Sequence, residues 1–236
     1  MSDEKSLKYN EPWILQRADP YVYRHTDGSY YFTASVPAYD GIVLRRAGSL
    51  AELSGAEEVM IWKKHESGPM SYHIWAPEIH YLFGKWYIYF AGGEKEDIWK
   101  IRPYVLECSG DDPLTDEWVE LGKMKRAAED EFSFEAFSLD ATVFENKGEY
   151  YYVWAEKVGV GKMISNLYIA KMESGNQLKT VQVLLTTPDY DWERKGFWVN
   201  EGPAVIHHDG KMFLTYSASE TGVDYCVGML SIDEDA

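Results

Sequence analysis

Three acids in this chain of 236 residues stand in the same local setting. Asp19 lies in ADPYVY, Asp140 in LDATVF and Glu201 in NEGPAVI, each at the head of a short apolar run. Carboxylates gathered at one place can divide acid–base chemistry between them. One is kept protonated by burial or by a neighbouring negative charge and gives up its proton. Another stays ionised and activates water, and a third orients the donor and raises its pKa. Two carboxyl groups in opposite protonation states are what cleavage of a glycosidic bond requires, and no metal or cofactor is needed. Taken singly, each acid also suits a structural role, with Asp-Pro in a turn, Leu-Asp-Ala as a cap and Glu-Gly-Pro in a solvated loop. The chemical reading therefore depends on elements that bring the three together.

Those elements are visible as an internal repeat. Segments 19–35, 76–93, 140–156 and 202–219 each contain a short strand, a turn ending in Gly and an aromatic-rich strand. The turn glycines are Gly28, Gly84, Gly148 and Gly210, a period of roughly sixty residues. A third strand follows each hairpin at 41–47, 102–108, 165–172 and 224–230. A fourth follows in the first three units at 58–62, 117–124 and 181–187, with 47–58 holding one helical turn at most. Four short antiparallel strands repeated around an axis describe an all-β propeller, with repeats near 19–62, 76–124, 140–187 and 202–231. A sandwich is the alternative, but it leaves the period unexplained. In a propeller the first strand of every blade lines the central channel, so the three acids would share one mouth of it, at equivalent positions of their units.

Residues 1–236 read as one domain, without a linker. The fourth unit stops at SIDEDA (231–236) before a fourth strand, so about four blades are expected here, as a piece of a longer chain. WILQR (13–17) could pair along that open edge.

Composition narrows the partners. A formal charge of −16 argues against nucleic acid, whose phosphates call for clustered Lys and Arg. No apolar run approaches the roughly eighteen residues of a membrane helix. The polar N-terminus MSDEKSLKYNEPW lacks the core of a secretory signal, which reads as a cytoplasmic location. Cys108 and Cys226 sit in apolar strands and read as buried free thiols, and no Cys/His cluster has zinc spacing. The 9 Trp, 18 Tyr and 9 Phe suit packing between sheets, with some left over as platforms for sugar rings.

ADPYVY, WAPEIHYLFGKWYIYFA, SLDATVF, SNLYIAKM and VNEGPAV, in this order along the whole chain, resemble glycoside hydrolase family 43. With PDYDWERKGF (188–197) and TYSAS, the resemblance is greatest to its exo-acting α-L-arabinofuranosidase branch. The resemblance implies a five-bladed propeller and an inverting mechanism. It makes Asp19 the general base, Asp140 the acid that tunes and orients its partner, and Glu201 the general acid. Base and acid would then stand roughly 6.5–9.5 Å apart, leaving space for water. Trp75, His73 and Asn166 are candidate contacts to the sugar, although each also suits a structural role. The implied substrate is an arabinose-containing oligosaccharide. No cofactor is required, although the full family fold has room for a calcium ion in its channel. One departure stands out. The family's last blade carries a channel-facing histidine in a Gly-His-Asn-type motif, whereas His207 and His208 belong to a hairpin turn. Two rival readings stay open: a β-xylosidase of the same family, and a propeller that binds carbohydrate without cleaving it.

Overall fold

A computed structural model describes residues 12–159 and 164–234. The structure is all-β. The first repeat forms β1 (Ala18–Arg24), β2 (Tyr30–Ser35), β3 (Gly41–Ala47) and β4 (Val59–Lys63), hydrogen-bonded in that order. The second forms β5 (Tyr72–Leu82), β6 (Lys85–Glu94), β7 (Asp97–Cys108) and β8 (Val119–Lys123) in the same order. In the third, β9 (Ser138–Asn146), β10 (Glu149–Val158) and β11 (Ile164–Ser174) are followed by β12 (Gln177–Leu178) and β13 (Val183–Thr186), both paired to β11. The fourth contains β14 (Trp198–His208), β15 (Lys211–Ala218) and β16 (Cys226–Asp233).

Strand neighbours within each repeat are antiparallel. A short parallel pairing, Ile164 with Trp198 and Ser165 with Val199, joins the third and fourth repeats into one sheet, which the repeat pattern did not foretell. The four turn glycines adopt φ between 71° and 90°, the left-handed region that a tight hairpin turn favours glycine to occupy. The helical segment expected within 47–58 is a 3₁₀ turn at Leu50–Gly55.

Aromatics fill the spaces between consecutive repeats. Tyr31, Trp86, Phe90 and Tyr104 pack the first repeat on the second. Tyr87, Tyr89, Phe134, Tyr152, Trp154 and Tyr168 pack the second on the third. Alternating strand residues put these rings on one face of a sheet, where each pair adds edge or offset contact to buried area.

Two expectations change. WILQR (13–17) forms no strand and does not reach the fourth repeat. Trp13 sets its edge on Phe32, and Arg17 pairs with Glu58 beside Arg45, so the segment covers the first repeat. Both cysteines are free thiols, but only Cys108 is buried; Cys226, first residue of the outermost strand β16, is partly exposed.

Candidate active site

One device recurs at the head of every repeat's first strand. Pairing with the second strand slips there, between Ala18 and Tyr21, Trp75 and Glu78, Leu139 and Thr142, and Glu201 and Ala204. Each slip is a β-bulge, in which extra residues on one strand oppose fewer on its partner. Each contains a left-handed residue: Asp19 (φ 49°), Ala76 (45°), Asp140 (49°) and Gly202 (57°). The sequence places the three acids at one equivalent position, and the bulges correct this by one residue. Asp19 and Asp140 occupy the left-handed position, whereas Glu201 precedes it and corresponds to Trp75. A bulge interrupts strict alternation, so neighbouring positions can serve the same site.

Asp19 is solvent-accessible and fixed from below. The Ser35 hydroxyl donates to its Oδ2 at 2.7 Å, and the Ala76 amide donates to Ser35 Oγ at 2.8 Å. Ser35 is 2% exposed, so this relay ties the first two repeats together at the site.

Asp140 and Glu201 form the electrostatic centre. The Gly202 amide donates to Asp140 Oδ2 at 3.1 Å, joining the third repeat to the fourth. Surrounding protein pushes the Asp140 carboxyl well above the usual range, and the charges of Glu201 and Asp19 push it further. Glu201 is also raised, first by desolvation and then by Asp19. The Tyr225 hydroxyl, 3.1 Å from Oε1, and the Lys157 ammonium oppose that rise. Lys157 lies over the Phe137 ring at 3.9 Å. The charges of Glu201 and Asp19 bear on Asp140, and that of Asp19 bears on Glu201, so the fold brings together residues far apart in sequence.

Buried carboxylates set the loops that lead into these strands. Glu193, fully buried, accepts from the amides of Asp189 and Tyr190, from Asn200 Nδ2 at 3.2 Å and from the Tyr216 hydroxyl at 2.8 Å. Asn200 immediately precedes Glu201. Glu156 likewise accepts from the amides of Phe134 and Ala136 and from the Trp154 indole, fixing the approach to Asp140.

An aromatic cluster gathers at the head of β5. His73 packs between Tyr72 and Trp75, both with centroids at 4.3 Å, and Trp99 lies 5.3 Å away. Tyr39 meets Trp75 edge-on at 6.0 Å. His73 Nε2 is buried without a hydrogen-bond partner. Asn166 sits differently: its amide donates to the Tyr168 hydroxyl at 3.1 Å, while its Oδ1 has no partner. Glu78 turns to His80, 2.9 Å away, and its charge also bears on Asp140.

Sequence reasoning had not singled out Ser35, Tyr225, Lys157, Glu193 or Trp99. Ser35 was within reach of it, because counting back from the Gly28 turn sets the end of β2 against the head of β1. Tyr225 follows a loop of no fixed register, and Lys157, near the end of β10, carried no signal that set it apart from other strand lysines.

Among the described residues, no group of three or more His, Cys, Asp or Glu side chains is arranged to hold a metal ion. No helix among them is long and apolar enough to cross a membrane.

The model of glycosyl hydrolases family 43 matches residues 9–235. An extracellular exo-α-(1→5)-L-arabinofuranosidase of Streptomyces chartreusis is 48% identical over 95% of this chain and 67% of its own length. A protein of the same description from Streptomyces avermitilis is 48% identical over 98% of this chain, which spans about half of that relative, 47%. The crystal structure of an α-L-arabinofuranosidase from Lactobacillus brevis superposes with a TM-score of 0.86 at 52% identity, covering 96% of this chain and 70% of the other. Both Streptomyces relatives are extracellular by name, which overturns the cytoplasmic location read from the polar N-terminus. A polar opening stretch reports solvation and carries no information about compartment. With nearly the whole chain matched and the motif order kept, the chain belongs to glycosyl hydrolases family 43.

Proposed function

We propose that this chain is the catalytic part of an inverting, exo-acting α-L-arabinofuranosidase, releasing terminal α-L-arabinofuranosyl residues from arabinan or arabinoxylan oligosaccharides. The observation that carries the reading is the meeting of three acids from three repeats, two of them with raised pKa and within reach of each other's charge. The names of the similar proteins support the choice of sugar and an extracellular setting. Residues 1–236 are read as part of one five-bladed propeller domain, with about four blades in this chain. The hairpin repeats and the family support that reading.

In this mechanism Glu201, its pKa raised by desolvation and by Asp19, gives its proton to the leaving oxygen. Asp19, open to solvent and steadied by Ser35, takes a proton from the water that attacks the opposite face of the sugar. Asp140 sits between repeats on the Gly202 amide and orients Glu201 through that neighbouring residue. Trp75 offers a face to the furanose ring, and His73 Nε2 accepts or donates to one of its hydroxyls. Asn166 Oδ1 is a further candidate partner for the sugar. No cofactor enters the scheme.

Hydrolysis of nitrophenyl α-L-arabinofuranoside and nitrophenyl β-D-xyloside tests the assignment, with proton NMR recording the anomer first released. Arabinofuranoside cleavage with β-arabinose as the initial product is expected. Turnover of the xyloside alone would overturn the choice of sugar, and α-arabinose as first product would overturn inversion.

A further inference from the structure

Glu201 meets its surroundings asymmetrically. Its Oε1 lies 3.1 Å from the hydroxyl of Tyr225, whereas Oε2 has no hydrogen-bond partner among the described residues. Tyr225 stands just ahead of β16, and its hydroxyl also meets the side chain of Ser217, the residue paired with Glu201 across β14 and β15. The phenol carries a single proton, and the 3.1 Å contact places it on Glu201 Oε1. From this geometry we propose that Tyr225 is a positioning residue that reserves Oε1 as an acceptor, so that the reactive proton of Glu201 resides on Oε2 and faces the leaving oxygen.

The inference rests on reading Glu201 as the proton donor. In the step itself the O–H bond at Oε2 breaks and the proton passes to the glycosidic oxygen. The bond from that oxygen to the anomeric carbon breaks, its electron pair staying on the oxygen. Water forms the new bond from the opposite face and loses a proton to Asp19. Glu201 is left as a carboxylate with the phenol still on Oε1. A hydrogen bond to a carboxylate is about twice as strong as one to a neutral carboxyl oxygen, so this contact strengthens as the proton leaves. Other charges face the same group: Asp19 favours the protonated form and Lys157 the ionised form, while the charge of Glu201 in turn bears on Asp140.

The test is Tyr225→Phe in the full chain, assayed on three arabinofuranosides with leaving groups of decreasing acidity: 2,4-dinitrophenyl, 4-nitrophenyl, and the second sugar of α-1,5-arabinobiose. A dinitrophenolate departs almost unaided, whereas an alkoxide needs the proton. The expected loss in kcat is about five- to twentyfold on arabinobiose and under about threefold on the dinitrophenyl substrate, the size of one charge-assisted hydrogen bond. The alkaline limb of the kcat profile should move up by roughly half to one pH unit, because a group that favours the carboxylate has gone. Near-normal dinitrophenyl turnover also shows that the variant folds. Equal losses on all three substrates with an unmoved limb, or no loss on any, would overturn the proposal. Glu201→Gln on the same series separates it from the reading beneath. If that variant retains arabinobiose turnover, the assignment of Glu201 fails, whereas an inactive Gln variant beside a parent-like Phe variant sinks only the role of Tyr225.

Discussion

The first and second repeats build the same bulge and put it to different uses. Asp19 and Ala76 both take a left-handed φ, 49° and 45°, at matching places in β1 and β5, and Pro follows each. One position bears a carboxylate in the site. The other bears a methyl, and its amide holds Ser35 under that carboxylate. The backbone device is thus common to the scaffold, and the chemistry depends on which residue occupies it. Asp140 repeats the choice made at Asp19, and Gly202 takes the conformation at no steric cost while giving its amide to Asp140.

The largest effect should separate the two repeats outright. Asp19→Asn keeps a residue that tolerates the left-handed region but removes the base. Activity on nitrophenyl arabinofuranoside should fall about 10²–10⁴-fold, with the melting temperature little changed. Residual activity within tenfold of the parent would show that Asp19 and Ala76 differ less than their side chains suggest.

Ser35 belongs to both repeats, so its loss should register in stability and in rate. Ser35→Ala strands the buried Ala76 amide and frees Asp19 to rotate. We expect destabilisation by about 1–3 kcal/mol, the cost of an unsatisfied buried donor, and a roughly five- to tenfold fall in kcat. Chemical denaturation and steady-state kinetics measure the two separately. A stability loss without a rate loss would mean that the relay serves only the fold.

Much of this is legible in the sequence. The period of the glycines, the aromatic second strands and the acids at the strand heads prescribe an all-β repeat with three carboxylates at one end. Alternation in a strand is a local property, and so is the positive φ that Gly28 and its counterparts supply. The one-residue offset of Glu201 was within reach, because Pro20, Pro77 and Pro203 each follow the left-handed residue and set Glu201 one place ahead of Asp19's position. Tyr225 and Lys157 reach Glu201 by tertiary packing, which local pattern does not encode. The pairing of β11 with β14 depends likewise on how two repeats settle against each other.

Asp140 offers a subtler contrast with the neutral bulge position of the second repeat. Its carboxyl is raised well above the usual range, so the folded state holds the proton more tightly than the unfolded chain does. Such a group stabilises the fold below its unfolded pKa of about 3.9 and loses that contribution as pH climbs through the folded value. Asp140→Asn, always neutral, should therefore melt higher than the parent at pH 7–8, and the two curves should converge near pH 3.5–4. Its activity should drop by about ten- to a hundredfold. A melting temperature below that of the parent at neutral pH would show that the charge is better solvated than its setting implies.

The smallest effect is the most telling about the scaffold. At Ala76 the left-handed conformation costs roughly 1–2 kcal/mol for a residue with a Cβ, and glycine would relieve it. Against that stand glycine's larger entropy in the unfolded chain, about 0.5–1 kcal/mol, and the lost burial of one methyl, about 0.8 kcal/mol. The terms nearly cancel. Ala76→Gly should shift stability by under about 1 kcal/mol, a few degrees at most for a domain of this size. Its kcat should match the parent, because the amide that holds Ser35 is still there. Asp19→Gly makes the same backbone change in the first repeat and should be close to inactive. If Ala76→Gly also lost activity, the second repeat's bulge would be part of the chemistry, and the division between shared backbone and placed carboxylate would not hold.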